Sequence, residues 1–418
     1  MIYIHIPYCR SFCTYCDFYS EVASRCSTYG GYAEALSAEI AARSEEIRKN
    51  VSSPSGVDTL YVGGGTPSVL PLHVFESVLG SLAEAGCTRL FREFTVEVNP
   101  EDIVEKGHPY VEGLLKLGVN RISMGVQSFD DAILKWMNRR HDSARAVRAY
   151  SILEECGVEN ISIDLIFGLP QLSSDDWERG LDGALGISRT GKLPRHISSY
   201  QLSVEEGSAL ASLVAKGRWE EASDEVCARQ YESLCVALRG AGYHHYEISN
   251  FAQPGYEAVH NSAYWRHEPY VGLGPGAHSC MLAPRCAVET PSRLSWASPP
   301  VREWEAAPST HLASSVGKYI RQWNKSDLGA YIAAGKTGDF SKVSGGEELT
   351  QEQIVLEKIM LGLRTSEGLP EAFLTEHCDE AALSEALRSG NLCRLPDARV
   401  RIPESKFFIS DSIISSLV

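Results

Sequence analysis

No apolar run in this chain of 418 residues reaches the roughly 18 positions that a membrane-spanning helix needs. No signal peptide precedes the first cysteines, so the expectation is a soluble protein of the cytoplasm. Basic residues are also scarce: 39 Lys and Arg stand against 54 Asp and Glu, for a net charge of −15 and a pI near 5.3. That balance argues against a broad phosphate-binding face, and with it against nucleic acid as the main partner, while leaving room for a local basic patch. There is no internal repeat, no coiled-coil heptad, no Walker loop and no Rossmann fingerprint. The 12 cysteines are too thinly spread over so long a chain for a secreted disulfide scaffold. Nine of them (Cys26, Cys87, Cys156, Cys227, Cys235, Cys280, Cys286, Cys378 and Cys393) are scattered and read as buried free thiols in a reducing compartment.

The remaining three are not scattered. Cys9, Cys13 and Cys16 form C-x3-C-x2-C directly after the apolar run Met1–Ile6 and Pro7. Three thiolates in one turn make a soft-metal site for zinc or an iron–sulfur cluster. A fourth ligand is missing nearby, where Asp17, Phe18, Tyr19 and Ser20 follow. Three ligands leave one coordination position open, and open positions are where chemistry happens. Zinc remains an alternative if a distant histidine or cysteine closes the site. Tyr8, Phe12, Tyr15 and Phe18 are expected to form a dry shell that favours a cluster.

At 44% hydrophobic and 22% charged the chain is globular, with material for two or three domains. Short apolar strands at 1–6, 58–62, 93–98, 121–126, 159–167 and 195–204 alternate with helical stretches such as 142–156. Repeated strand–helix units require parallel pairing with helical crossovers. Six units predict an α/β fold, a partial (β/α)6 TIM-like barrel, whose function gathers at the carboxyl ends of its strands. Residues 205–242 read as helical and 243–252 as a strand with its exit loop. Residues 281–314, rich in Pro, Ser and Ala, read as an irregular insertion. Helices are expected at 326–336 and at 350–364, the latter with Leu356, Ile359, Met360 and Leu363 on one face. The tail reads as a small α+β winged-helix-like module. The expected division is 1–240, 241–314 and 315–418.

Two further features sit at strand ends or inside strands. The Gly63-Gly64-Gly65-Thr66-Pro67 loop is either a tight turn or a place where bare backbone meets a ligand. Glu97, Gln127 and Asp164 are polar residues in apolar strands and need partners when buried. An arginine or backbone group inside the barrel, or a polar cofactor at its mouth, would serve.

The order of these pieces resembles the radical S-adenosylmethionine (SAM) superfamily, in its oxygen-independent coproporphyrinogen oxidase branch. The resemblance rests on C-x3-C-x2-C, Gly-Gly-Gly-Thr-Pro, Glu-Val-Asn-Pro, Gly-Val-Gln-Ser-Phe, Asn-Arg and Asp-Leu-Ile-Phe-Gly-Leu-Pro. It implies a [4Fe–4S] cluster on Cys9, Cys13 and Cys16 with SAM on the open iron. It further implies SAM contacts from Tyr3, Tyr15, Gly64, Gly65, Thr66 and Glu97, while Gln127, Arg139 and Asp164 match positions where the oxidase holds a second SAM. Two departures separate the chain from the oxidase. Phe18 stands where the oxidase has a further cysteine, and the oxidase's extension ahead of the first strand is missing. Residues 260–265 instead read H-N-x-x-Y-W, which, with Tyr246-Glu-Ile-Ser-Asn-Phe-Ala ahead and Gly272-Leu-Gly-Pro-Gly-Ala-His-Ser behind, is similar to the heme chaperones of the HemW family. That likeness implies heme contacts from His260, Asn261, Tyr264 and Trp265 and delivery of heme to apo respiratory proteins. A peripheral membrane contact and a cluster-dependent homodimer belong to the same set of expectations. From the residues alone, His260 reads as a hydrogen-bonded structural histidine and Trp265 as a core aromatic, and His244, His245, His267 and His278 compete as heme ligands. Porphyrinogen oxidation and a zinc-stabilised binding module are the competing functions.

Overall fold

The computed structural model describes residues 1–22, 28–52, 58–87, 90–282 and 319–418. The strands are β1 (Ile2–Ile6), a two-residue pair β2 (Tyr8–Cys9) and β3 (Glu21–Val22), β4 (Thr59–Gly64), β5 (Glu93–Val98), β6 (Arg121–Gln127), β7 (Ile161–Phe167), β8 (His196–Gln201), β9 (His244–Glu247), β10 (Asn250–Ala252), β11 (Val271–Leu273), β12 (His278–Leu282), β13 (Tyr319–Asn324) and β14 (Ser344–Leu349). One nine-stranded sheet runs β11-β1-β4-β5-β6-β7-β8-β10-β9. Its pairs from β11 to β8 are parallel, whereas β10 is antiparallel to both β8 and β9. The six expected strands are all present and adjacent, as an α/β sheet that does not close into a barrel among the described residues.

The strands alternate strictly between two environments. Ile2, Ile4 and Ile6, Leu60 and Val62, Val96 and Val98, and Ile122, Met124 and Val126 all lie in the main core. Into the same core the helices Thr28–Ala42, Leu72–Glu84, Pro100–Lys116, Ser143–Glu155 and Asp224–Gly240 direct Leu36 and Ile40, Val74 and Phe75, Val111 and Leu114, Ala149 and Leu153, and Leu234 and Leu238. The intervening residues, of period two, face the other way. They include Tyr3, His5, Tyr61, Glu97, Arg121, Ser123 and Asp164, so the concave face is polar.

A second sheet, β12-β13-β14, docks against the start of the first. The junction is a buried charge network around Glu39, which accepts from Gly274 N (2.9 Å), Asn324 Nδ2 (2.8 Å) and Tyr331 Oη (2.6 Å) and pairs with Arg43. Arg43 in turn donates to the Gly272 carbonyl at 2.7 Å. A buried ion pair is tolerable when its remaining donors and acceptors are met, as they are here. The tail folds into β15 (Leu369–Pro370), β16 (Cys393–Arg394) and β17 (Arg399–Arg401) with short helices Glu371–His377, Glu380–Arg388 and Ser410–Ser415. The tail is thus α+β, with Glu404–Ile409 a short 3-10 helix.

Several local expectations need correction. The 205–242 stretch is two helices, Ala209–Ala215 and Asp224–Gly240, and 243–252 is the hairpin β9–β10. Leu356 is exposed, because the helix Gln351–Gly362 turns Ile354 and Ile359 inward instead. Cys156, Cys378 and Cys393 are only partly buried, and Cys26 and Cys286 lie outside the described residues. The 281–314 insertion also lies outside them from residue 283 onward.

Candidate functional site

The cysteine loop leaves β1 at Pro7 and is tied down from three sides. Glu21 N donates to Pro7 O (2.8 Å), Thr14 N to Met137 O (3.1 Å), and Leu210 N to Thr14 O (2.8 Å). Asn138, held at φ 59°, donates through Nδ2 to Phe12 O at 2.7 Å. Asn tolerates this left-handed backbone better than most residues. Arg139 is the central strut. It donates to Cys13 Sγ (3.4 Å), Asn99 Oδ1 (2.7 Å) and Gly125 O (2.7 Å), joining the loop to the ends of β5 and β6. Thr66 Oγ1 lies 3.4 Å from Cys9 Sγ and accepts from Asn99 Nδ2 at 3.3 Å.

All three cysteines are free and half-buried. They lie close enough to interact electrostatically, and burial raises the Cys9 thiol and pushes Cys16 up to about 12. Among the described residues, however, no three His, Cys, Asp or Glu side chains converge tightly enough to share a single metal ion. A single zinc ion requires thiolates at about 2.3 Å from one centre. In a cluster each thiolate takes its own iron instead. The dry shell is only half realised: Tyr8 is buried and Tyr15 partly so, but Phe12 and Phe18 are exposed.

The glycine loop is shaped by close backbone approach. A Cβ on Gly65 would sit 2.7 Å from Tyr8 O, and one on Gly63 would sit 2.8 Å from Glu97 Oε1. Glu97 accepts from Tyr61 Oη (2.7 Å) and Gly64 N (3.1 Å). Burial nevertheless raises its carboxyl to about 7, against the pull of those two donors. Asp164 accepts from Ser123 Oγ at 3.1 Å, and burial raises it while Arg121 opposes the shift. Gln127 ends β6 with φ 68°, where the pairing with β7 slips by one residue. This left-handed backbone is rare for a residue other than glycine and marks a locally imposed shape. The structure therefore joins the cysteine loop, Thr66, Asn99 and Arg139 at the carboxyl ends of the strands, with Tyr3, Glu97 and Asp164 on the concave face.

Sequence reasoning did not single out Arg121, the bulkiest of the fully buried side chains, or Asn99 as Arg139's acceptor. Strand parity carried a signal for the first: Arg121 shares its face with Ser123, opposite Ile122 and Met124.

The H-N-x-x-Y-W motif forms the helix Val259–Trp265. Glu93 caps it by accepting from Val259 N (2.7 Å) and His260 N (2.9 Å). His260 is 1% exposed, with Nδ1 2.8 Å from Thr59 Oγ1 and Nε2 3.2 Å from Tyr264 Oη. Both ring nitrogens are thus engaged, and burial lowers its pKa to about 3. His260, Asn261 and Tyr264 line a cleft of about 410 Å³, together with Tyr3, Tyr61, Phe18 and others; Trp265 does not reach it. That volume lies within the range of small-molecule sites. Asp17 and Phe18 of the cysteine loop form its other wall, so one cleft joins the two motifs. Neither the contact with Tyr61 nor the approach of Phe18 had a local signal in the sequence.

A family model described as the Radical SAM superfamily matches residues 3–182. The heme chaperone HemW of Lactococcus lactis is 37% identical over 275 residues, covering 66% of this chain and 68% of that protein. The heme chaperone HemW of Bacillus subtilis is 34% identical, covering 66% of this chain and 69% of that protein. The heme chaperone HemW of Mycobacterium tuberculosis (strain H37Rv) is 29% identical over 426 residues, covering 100% and 94%. Among solved structures, coproporphyrinogen III oxidase (HemN) from Escherichia coli superposes with a TM-score of 0.71 at 19% identity, covering 99% of this chain and 89% of that one. The last likeness is one of fold alone.

Proposed function

From the premise that this chain belongs to the heme chaperone HemW family, we propose that it binds heme in the cleft between the cysteine loop and the helix Val259–Trp265 and passes it to apo respiratory proteins. The observation that carries this reading is the cleft itself. Its walls are Phe18, at the position that distinguishes the chain from the oxidase, and the His260, Asn261 and Tyr264 face. Aromatic walls suit a porphyrin face, and an open-sided cleft suits a cargo that must leave again. Cys9, Cys13 and Cys16 would hold a [4Fe–4S] cluster, with SAM at the open iron beside Tyr3, Tyr15, Gly64, Gly65, Thr66 and Glu97. When bound, that pair supplies one-electron chemistry at a sulfonium. Arg139 bonds to Cys13 and Asn99, which suits it to hold the loop in place rather than to contact a second SAM. Gln127 and Asp164 remain candidates for that contact. Residence in the cytoplasm, a peripheral membrane contact and a cluster-dependent homodimer belong to the same proposal. Among the described residues no helix is long and apolar enough to cross a membrane.

The test is anaerobic reconstitution of the cluster, then parallel assays of heme transfer to an apo-cytochrome and of coproporphyrinogen III oxidation with SAM and a reductant. Heme transfer without porphyrin formation is expected. Steady oxidation without transfer would assign the chain to the oxidase reaction instead.

A further inference from the structure

Three imidazoles line the cleft: His5, His260 and His278. Ligation of iron consumes the lone pair of one ring nitrogen, so a candidate ligand needs a nitrogen not already committed. His5 has none to spare. Its Nε2 lies 2.8 Å from Tyr19 O and therefore carries the proton, while Nδ1 accepts from Tyr3 Oη at 3.1 Å. His260 is bound at both nitrogens by Thr59 and Tyr264, and freeing either would leave a buried hydroxyl unmet. Such a loss costs about 1–3 kcal/mol for each group stranded.

His278 differs on each count. It is exposed, and among the described residues its ring has no hydrogen-bond partner. Its backbone is nevertheless fixed. His278 pairs with Trp323 across β12 and β13, and a Cβ on Gly272 would lie 1.9 Å from its carbonyl oxygen. The ring stacks on Trp323 with centroids 6.2 Å apart and an interplanar angle of 27°. His278 thus combines a fixed backbone, a place in the cleft lining and a ring free of hydrogen bonds among the described residues, which suits it to take a ligand.

We propose that His278 is the protein ligand to the iron of the heme bound in this cleft, a step that rests on the heme reading above. His260 then shapes the wall through Tyr264 and Tyr61 without touching the metal. Desolvation and the neighbouring Arg321 lower the His278 pKa, toward the neutral ring that a ligand needs.

The experiment is a titration of the full-length protein with ferric heme, read by absorbance and by electron paramagnetic resonance (EPR). The wild type is expected to give a histidine-ligated spectrum. His278→Ala should lose that signature and weaken binding by about tenfold or more, equivalent to about 1.4 kcal/mol. Added imidazole should restore the signature. His278→Met should give a distinct thioether-ligated spectrum, and His260→Gln should keep the histidine signature. Iron and sulfide content of the reconstituted cluster, unchanged across the set, shows that the variants fold. A wild-type spectrum retained in His278→Ala overturns the assignment while leaving heme binding intact. A change that imidazole does not reverse also overturns it, since the residue then acts through cleft shape. Absence of any heme binding by the wild type overturns the heme reading itself.

Discussion

The cysteine loop and the H-N-x-x-Y-W helix face the same cleft, but they are built on opposite principles. The loop keeps its functional atoms half-exposed and is braced from outside by Arg139, Asn138 and the Trp136 carbonyl. The helix buries its signature histidine and commits both nitrogens to Thr59 and Tyr264. A motif residue at the loop is therefore available for ligation, whereas the motif histidine of the helix is invested in shape. The difference teaches that a sequence signature marks a site without saying which of its atoms face the ligand. At the cleft the available imidazole is His278, which lies outside the H-N-x-x-Y-W motif.

The comparison can be broken most decisively at the loop. Cys13→Ala should abolish cluster assembly, with iron and sulfide near background after anaerobic reconstitution; full iron retention would show that the loop is not the ligand set. Next in size is Arg139→Ala, which strands Asn99 Oδ1 and Gly125 O and removes the donor to Cys13 Sγ. A loss of about 1–3 kcal/mol in stability is expected, with faster loss of iron to a chelator. An iron off-rate equal to that of the wild type would remove Arg139 from its bracing role. Smaller again is Tyr264→Phe, which deletes one hydrogen bond to His260 and should cost about 0.5–1.5 kcal/mol in chemical denaturation while leaving iron content untouched.

The two regions also predict opposite responses to pH. Glu97 at the mouth is raised from 4.5 to about 7, so the folded state holds its proton where the unfolded chain has lost it. Its contribution to stability is present below pH 4.5 and declines as pH rises toward 7. His260 is lowered from 6.5 to about 3, so below pH 6.5 the unfolded chain binds a proton that the folded state refuses. Its contribution is full above pH 6.5 and is lost as pH falls toward 3. Between pH 4.5 and 6.5, Glu97→Gln should therefore make stability rise more steeply with pH than in the wild type, and His260→Gln should flatten the rise. Denaturant midpoints across that window check both, and parallel profiles for the three proteins would contradict the assigned burial.

The strands and the mouth were legible in the sequence because they depend on local pattern. The run Phe-Thr-Val-Glu-Val announces both a buried strand and the one carboxylate that must find donors. Positions after β1, β4 and β5 followed from the rule that parallel strands end at the functional face. What stayed illegible depends on distant partners. The three-residue strand β11 exists only because it lies beside β1, some 270 residues away in sequence. The commitment of His260 required Thr59, and the exposure of Phe18 required a cleft whose far wall is the helix 259–265. Leu356 was misread because its helix packs only partly, so periodicity alone could not fix which stripe turns inward.

The most direct test of the single shared cleft is EPR of the reduced cluster with and without ferrous heme. A cluster on the loop and a high-spin ferrous heme against Phe18 would be magnetic neighbours, so the cluster signal should relax faster when heme is bound. Cluster relaxation that is identical with and without heme would place the two in separate sites and contradict the account.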